Sequence, residues 1–352
     1  MTPTGHRPRN ASPLTTAVTV ARLLRSPQIR LLLSLSGKLV TPVYRAAFLT
    51  AAASSGVLRR LAEGPADLRT LALELGIEGD THRLGRWLDA GVKLGQLSSR
   101  HGRYALRSRL AKQLARVEND AAAGALEEVV RFHHPVLLDA PRMVREGRSF
   151  SLGDQDGTVI ARSSLVVQPF IEEAVSRLLD RHHPVRLLEI GCGSGVYVRH
   201  AAALNPRLTA LAVDLQSEVA EQAARNMDRW GIGDRVTTRQ GDLRDLAVDE
   251  RYDLVTLHNN IYYFPESDRV EVLARARETL APGGRLLLTT SCQGGSPSLE
   301  VLNLWFEFAD FGGPLPVEDE LVAQLRKAGF SDVEAHRIVP GEQFRAFVGT
   351  NS

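Results

Sequence analysis

The apolar positions change rhythm along these 352 residues, and the change divides the chain. From Leu14 to Val40, Leu, Val and Ile recur on one side of a helical period while Arg22, Arg25 and Arg30 take the other. "YRAAFLTAAASSGVLRRLAEG" and "ADLRTLALELGI" keep the helical pattern, the second stopping at Gly76, and "DTHRLGRWLDAGVKLG" opens at a cap, Asp80 or Thr81. "QLSSRHGRYAL" then alternates as a short hairpin turning at His101-Gly102. Three helices and a hairpin in so short a span predict a winged helix-turn-helix. Residues 108–183 read as mostly helical and end in "VVQPFIEEAVSRLLD".

Beyond residue 183 the runs turn β-rich: "VRLLEI", "LTALAVD", "RVTTRQG", "YDLVTLHN" and "GRLLLTTS". Helical stretches separate them, except that the third and fourth are joined by a link with room for little more than one turn. This βαβ alternation predicts a doubly wound, mostly parallel α/β sheet. A helix, "VEDELVAQLRKAGF", and a closing antiparallel hairpin, "DVEAHRIVP" with "QFRAFVGT", complete it at seven strands. The expected divisions are a basic arm (1–40), a winged domain (41–115), a helical linker contributing to a substrate pocket (116–183) and an α/β domain (184–352).

Composition adds limits. Nine basic residues and no acid precede Glu63, so the overall charge of +2 hides a basic leader on an acidic body. Such a leader can attract nucleic acid or anionic lipid, or dock on the acidic body of its own chain or of a partner subunit. Its apolar runs are broken by arginine, which argues against a signal peptide. Two cysteines, Cys192 and Cys292, make no disulfide framework and point to the reducing cytoplasm. The pairs His133-His134 and His182-His183 lack the Cys or carboxylate spacing of a metal site, and no metal is expected.

The sharpest motif is "LLEIGCGSG". Gly191, Gly193 and Gly195 let a strand end in a sharp turn and bring a ligand onto the main chain, with a helix N-terminus just beyond. Asp214, at the end of the second run, is placed to accept both hydroxyl protons of a ribose. The ligand should be a nucleoside derivative. A dinucleotide fingerprint would want its third glycine at 196, where Val196 stands.

With Glu189 two residues before the first glycine, with Asp214, with "GDLRD" after the third run and with "LAPGGRLLL" entering the fifth, residues 185–350 resemble the class I S-adenosylmethionine-dependent methyltransferases, whose fold is Rossmann-like. The resemblance implies that Glu189 and Gly191, Gly193 and Gly195 lie under the methionine part of the cofactor. It also implies that Asp214 with Leu215 holds the ribose, and that Asp242 and Leu243 border the adenine. The whole layout resembles the small-molecule O-methyltransferases of plant and bacterial secondary metabolism. In that family the winged domain forms an intertwined homodimer and a histidine after the fourth strand is the base; His258 falls on it. This chain departs from the family pattern: Asn259 and Asn260 replace the usual Asp and Trp, and Thr290 and Leu315 stand where two assisting glutamates are expected. His258 therefore has three readings: base, hydrogen-bonding partner of the substrate, or cap of the strand.

Around it, Asn259, Asn260, Tyr262 and Tyr263 are expected to line the substrate pocket. Tyr262, Tyr263 and Phe264 would wall that pocket or turn a π face to the sulfonium, or simply pack in the core. Arg162, in "GTVIARSSL", is a candidate partner for the methionine carboxylate or an acidic substrate, or a plain surface arginine. The expected reaction is methyl transfer to oxygen, carbon or nitrogen of a small molecule. The alternatives are a peripheral lipid methyltransferase and a cofactor-sensing DNA-binding regulator. Against the latter, Asp80, Arg83, Arg86, Asp89 and Lys93 give the third helix mixed charge rather than a basic reading face.

Overall fold

The computed structural model describes residues 26–247 and 250–352, in two compact units that divide after Asn119. The sequence reads residues 1–12 as disordered, being polar with Pro and Gly and without an apolar period; that expectation and the helical start at Leu14 fall outside the described residues.

In the first unit, helix Pro27–Leu35 passes through a π-helical turn, Ser36–Val40, into helix Thr41–Ser54. The single helical pattern expected next is split at Gly56, whose φ of 83° is left-handed, and resumes as Val57–Ala62. Strand β1 (Ala66–Asp67) follows, and the Asp67 carboxylate accepts the Thr70 amide at 2.8 Å to cap helix Leu68–Glu74. Helix His82–Lys93 leads to β2 (Leu97–Arg100) and β3 (Arg103–Leu106). The hairpin turns through His101 and Gly102, both at positive φ as a tight two-residue turn demands. Phe48, Leu58, Leu71, Leu88 and Leu97 form the core of this unit. Gly91 has no room to be anything larger, since a Cβ there would sit 2.1 Å from the Phe48 ring.

The second unit begins with the helices expected as a linker: Asp120–Glu128, His134–Glu146, Gly157–Ser163 and Gln168–Leu178. They belong to the same compact unit as the sheet. The strands are β4 (Arg186–Ile190), β5 (Thr209–Asp214), β6 (Val236–Gln240), β7 (Tyr252–His258), β8 (Leu280–Ser291), β9 (Ser331–Arg337) and β10 (Phe344–Thr350). Their order is β6-β5-β4-β7-β8-β10-β9, with β10 antiparallel to both neighbours and the other pairings parallel. The doubly wound sheet and its closing hairpin are as the pattern implied.

Because side chains alternate across a strand, β4 sends Leu188 and Ile190 into one core and Leu187 into the other. Glu189 shares the face of Leu187. On β7, Val255 and Leu257 join the first core while Leu254 joins the second, which puts Thr256 and His258 on the side of Glu189. The chain reverses direction of winding at β4, and the open C-terminal ends of β4 and its neighbours are where such sheets bind ligands.

Helix Pro297–Glu307 was not legible in the pattern. It follows β8 and carries Trp305 and Phe306, both fully buried. Just past it, Phe150 exchanges backbone hydrogen bonds with Phe308 and Asp310, both at 2.7 Å, so the helical stretch before the sheet is stitched to the loop after it.

Candidate active site

The glycine loop is shaped by three left-handed residues: φ is 68° at Gly191, 53° at Gly193 and 79° at Gly195. Two of them are also sterically required. A Cβ on Gly191 would lie 2.6 Å from Asn260 Nδ2, and one on Gly195 would lie 2.1 Å from the Met227 methyl. Above Gly193 there is nothing within 4 Å, so the loop is bare on its outer side. The Gly191 and Cys192 amides donate to Val213 O at 2.7 and 3.0 Å, tying the loop to β5.

Asp214 ends β5 against this loop. Its Oδ2 accepts from the Gly193 amide at 3.0 Å and its Oδ1 from the Gln216 amide at 3.1 Å. Burial raises its carboxyl above the ordinary aspartate value, against the pull of these amides. Beside it Leu215 is half exposed, an apolar surface next to a carboxylate. Asp242 is gripped by Arg244, whose Nη2 approaches at 2.6 Å, and this partner lowers its pKa. Leu243, in contrast, is buried in the core, so it has no side-chain surface to offer an adenine ring. This corrects its expected role.

Beneath the loop lies a row of buried polar atoms without partners. Among the described residues neither Glu189 oxygen has a side-chain partner, with only the Val198 amide near enough to favour its ionised form, and Thr256 Oγ1, Tyr197 Oη, Asn260 Oδ1 and His258 Nε2 have no hydrogen-bond partner. Desolvation, and then the charge of Asp214, push the Glu189 carboxyl well above the usual range. A cationic group placed over the loop would reverse that cost. The orphaned carboxylate, the bare glycine cradle and the ribose-type carboxylate together fit S-adenosylmethionine, with its ammonium, sulfonium and ribose.

His258 sits at the end of β7 with Nδ1 2.8 Å from Thr289 Oγ1 and its ring 4.8 Å from that of Tyr197, edge to face. Burial drops its pKa to about 3. It lies on the face of Glu189, with Nε2 lacking a hydrogen-bond partner among the described residues. The hydroxyl that engages it is that of Thr289; the neighbouring Thr290, singled out by alignment, bonds its hydroxyl to Ser291 O.

Asn259 adopts φ 54°, which Asn tolerates better than most side chains. The turn lets Asn260 Nδ2 donate to Ile190 O at 2.6 Å. Tyr262 and Tyr263 lie in an aromatic cluster. The Tyr262 ring is 4.7 Å from that of Phe306, Tyr263 is 5.3 Å from Phe306 and 5.9 Å from Phe311, and Trp305 stacks on Phe150 at 5.3 Å. Tyr263 is only half-buried, and Phe132, Phe150, Phe308 and Phe311 are likewise incompletely covered. Sequence reasoning missed Phe150, Trp305, Phe306 and Phe311; the aromatic density of "LWFEFADF" was the signal available.

Arg162 is corrected by its surroundings. Its guanidinium contacts Asp120 at 2.9 Å and Glu127 at 3.1 Å and is not offered to a ligand. It anchors helix Gly157–Ser163, whose first residue packs against Gln216, two residues from Asp214; a Cβ on Gly157 would come within 2.9 Å of the Gln216 amide oxygen. A cavity of about 450 Å³ at the β10–β9 end of the sheet includes none of these residues. Among the described residues no cluster of His, Cys, Asp or Glu could hold a metal ion.

Fold and site together define a class I S-adenosylmethionine-dependent methyltransferase. Residues 187–284 match the family model described as a methyltransferase domain. The chain is similar to demethylspheroidene O-methyltransferase of Rhodobacter capsulatus, 27% identical over 80% of this chain and 72% of the relative. It is also similar to 3-hydroxy-5-methyl-1-naphthoate 3-O-methyltransferase of Streptomyces sahachiroi, 25% identical over 71% and 75%. Among solved structures, mitomycin 7-O-methyltransferase shares its fold at a TM-score of 0.70 and 19% identity, over 94% of this chain and 99% of that one. Human N-acetylserotonin methyltransferase with bound S-adenosylmethionine does so at 0.67 and 20%, over 93% and 99%.

Proposed function

We propose that this protein methylates a small, largely apolar acceptor in a biosynthetic pathway. The observation that carries the reading is the set of partly covered aromatics Phe150, Tyr263 and Phe311, packed on the buried Tyr262, Trp305 and Phe306 beside the loop that follows β7. Such a wall suits an apolar ring system or chain and offers little to a charged one. By their names the relatives methylate demethylspheroidene and 3-hydroxy-5-methyl-1-naphthoate, the latter a fused aromatic ring system that also carries a carboxylate.

The bound cofactor supplies a methyl group already activated by positive sulfur. What the chain's residues must do is align the acceptor in line with it and keep water out. In this reading Gly191, Gly193 and Gly195 carry the methionine portion, Glu189 faces its ammonium, and Asp214 takes the ribose hydroxyls with Leu215 beside them. Asp242 borders the adenine. Asn260, fixed by its bond to Ile190 O, holds the loop against Gly191 and keeps Oδ1 free for a ligand. Tyr263, tethered to Gln155 at 3.2 Å, shapes the acceptor wall.

The molecule is proposed to work as a homodimer in the reducing cytoplasm. Leu31, Leu32, Leu33, Leu39, Val43 and Tyr44 each expose half or more of their surface along the first helices. A second copy of this chain would cover them. No helix among the described residues is long and apolar enough to cross a membrane.

The test is calorimetry with S-adenosylhomocysteine on wild type and Asp214→Ala. Binding on the order of micromolar, weakened at least ~10-fold by the substitution, is expected, since the ribose loses a charged hydrogen-bond partner. Equal affinities would remove Asp214 from the ribose, and absence of binding to wild type would sink the methyltransferase reading.

A further inference from the structure

Residues 150–157 leave the helical stretch before the sheet and fasten to three separate loops beyond its strands. Phe150 is fixed by its two backbone bonds to Phe308 and Asp310, in the loop after helix Pro297–Glu307. Gln155 Oε1 accepts the Tyr263 hydroxyl at 3.2 Å, in the loop after β7. Gly157 lies against the side chain of Gln216, in the loop after β5, and the helix it starts is clamped by Arg162. Between these points Ser151 and Asp154 close a turn on each other. The amide and the hydroxyl of Ser151 both donate to Asp154 Oδ2, at 2.7 and 2.9 Å, so the segment is a compact piece rather than a slack loop.

The sheet order turns these fastenings into a position. Strand β4 lies between β5 and β7. A chain pinned beyond β7 at Gln155 and beyond β5 at Gly157, two residues later, must cross the end of β4, where the glycine loop emerges. Burial, and after it the charges of Glu128 and Asp214, raise the Tyr263 phenol above its ordinary value. The hydroxyl that Gln155 holds is therefore within electrostatic reach of the carboxylate beside the loop. The outer side of Gly193 is clear for 4 Å, which leaves a slot beneath the crossing. None of residues 151–157 is buried, although both ends of the segment are fixed. A stretch with so little buried surface opens at low cost.

We propose that residues 150–157 form a strap across the cofactor cleft, and that the hydrogen bond between Tyr263 and Gln155 is its latch, which must open for the cofactor to enter or leave. The inference rests on the cofactor lying along the glycine loop. A latch of this kind acts on exchange rather than on affinity. Entry and exit both scale with the fraction of molecules whose strap is open, so their ratio is untouched when the latch is weakened. A side chain that merely held the ligand would instead change the exit rate alone.

The test is surface plasmon resonance of S-adenosylhomocysteine on immobilised full-length protein. In Gln155→Ala the association and dissociation rate constants should both rise, by about 5-fold for the loss of one neutral hydrogen bond, with the affinity that of wild type. Tyr263→Phe, which keeps the ring, should speed dissociation to the same extent. The double substitution should go no further, since all three remove one bond. Hydrogen exchange should quicken over 151–156 in each variant. Unchanged or slower rates in Gln155→Ala would overturn the latch, as would faster dissociation at an unchanged association rate, which would make Gln155 a contact of the ligand. Wild-type affinity in Asp214→Ala would instead overturn the placement of the cofactor on which the strap depends.

Discussion

At the scale of single residues, the informative groups are those whose cost makes sense only with a ligand present. Glu189 is the strongest case, a carboxyl held in the core with no side-chain partner among the described residues. Its folded pKa lies well above that of the unfolded chain. Its contribution to stability is therefore full below about pH 4.5 and is lost as pH rises through the folded value. In the ligand-free protein Glu189→Gln should flatten this loss, leaving the smaller slope of the same sign from Asp214; thermal melts across pH would show it. The same substitution should weaken S-adenosylhomocysteine by at least ~10-fold, because a neutral amide no longer meets the ammonium. Binding to wild type should release a proton, measurable by calorimetry in buffers of different ionisation enthalpy. A melt that stays as steep in Glu189→Gln as in wild type would assign the slope to another group. "EIGCGSG" made Glu189 visible, but not that its oxygens would be orphaned, since that depends on which helix covers β4.

At the scale of elements, helix Gly157–Ser163 is too short to stand on its own propensity. It is held by the Asp156 cap, which accepts the Thr158 amide at 2.9 Å, and by the clamp of Arg162 on Asp120 and Glu127. Gly124 allows the close approach, since a Cβ there would lie 2.9 Å from that of Arg162. Arg162→Ala should cost about 1–3 kcal/mol, below the figure for a fully orphaned buried charge because Arg131 still reaches Glu127. Arg162→Lys should recover little, since one ammonium cannot serve both carboxylates as a planar fork does. Hydrogen exchange should then quicken over 157–163 and leave β4 unchanged. Protection retained in that segment would mean that the cap and the Gln216 contact suffice. Its arginine stood out in the sequence as a ligand candidate. The partner of its arginine was not, because Asp120 and Glu127 lie some 40 positions earlier and only the packing of two helices brings them together.

At the scale of the whole molecule, the apolar stripe along the first helices is the exposed feature most in need of a partner. Replacing Leu31, Leu32 and Leu39 together by Asp should convert a dimer to a monomer in light scattering. The fold of the second unit, read by S-adenosylhomocysteine affinity, should persist. A wild-type monomer that binds anionic vesicles instead would give the stripe to a membrane surface. What the sequence by itself determined was local or periodic: the β-rich runs, the hairpin at His101-Gly102, the glycines whose conformation excludes a side chain, and Asp214 at a strand end. Alternation along a strand and φ at a turn are properties of a few consecutive residues, so they can be read in order. Only the tertiary structure decided which polar groups meet. It turned His258 toward Thr289 and Tyr197, closed Arg162 on two acids, stitched Phe150 to Phe308, and through one π turn set His133 against Glu128. Those pairings follow from which faces must be buried together, a condition on the whole chain that no single stretch of it contains.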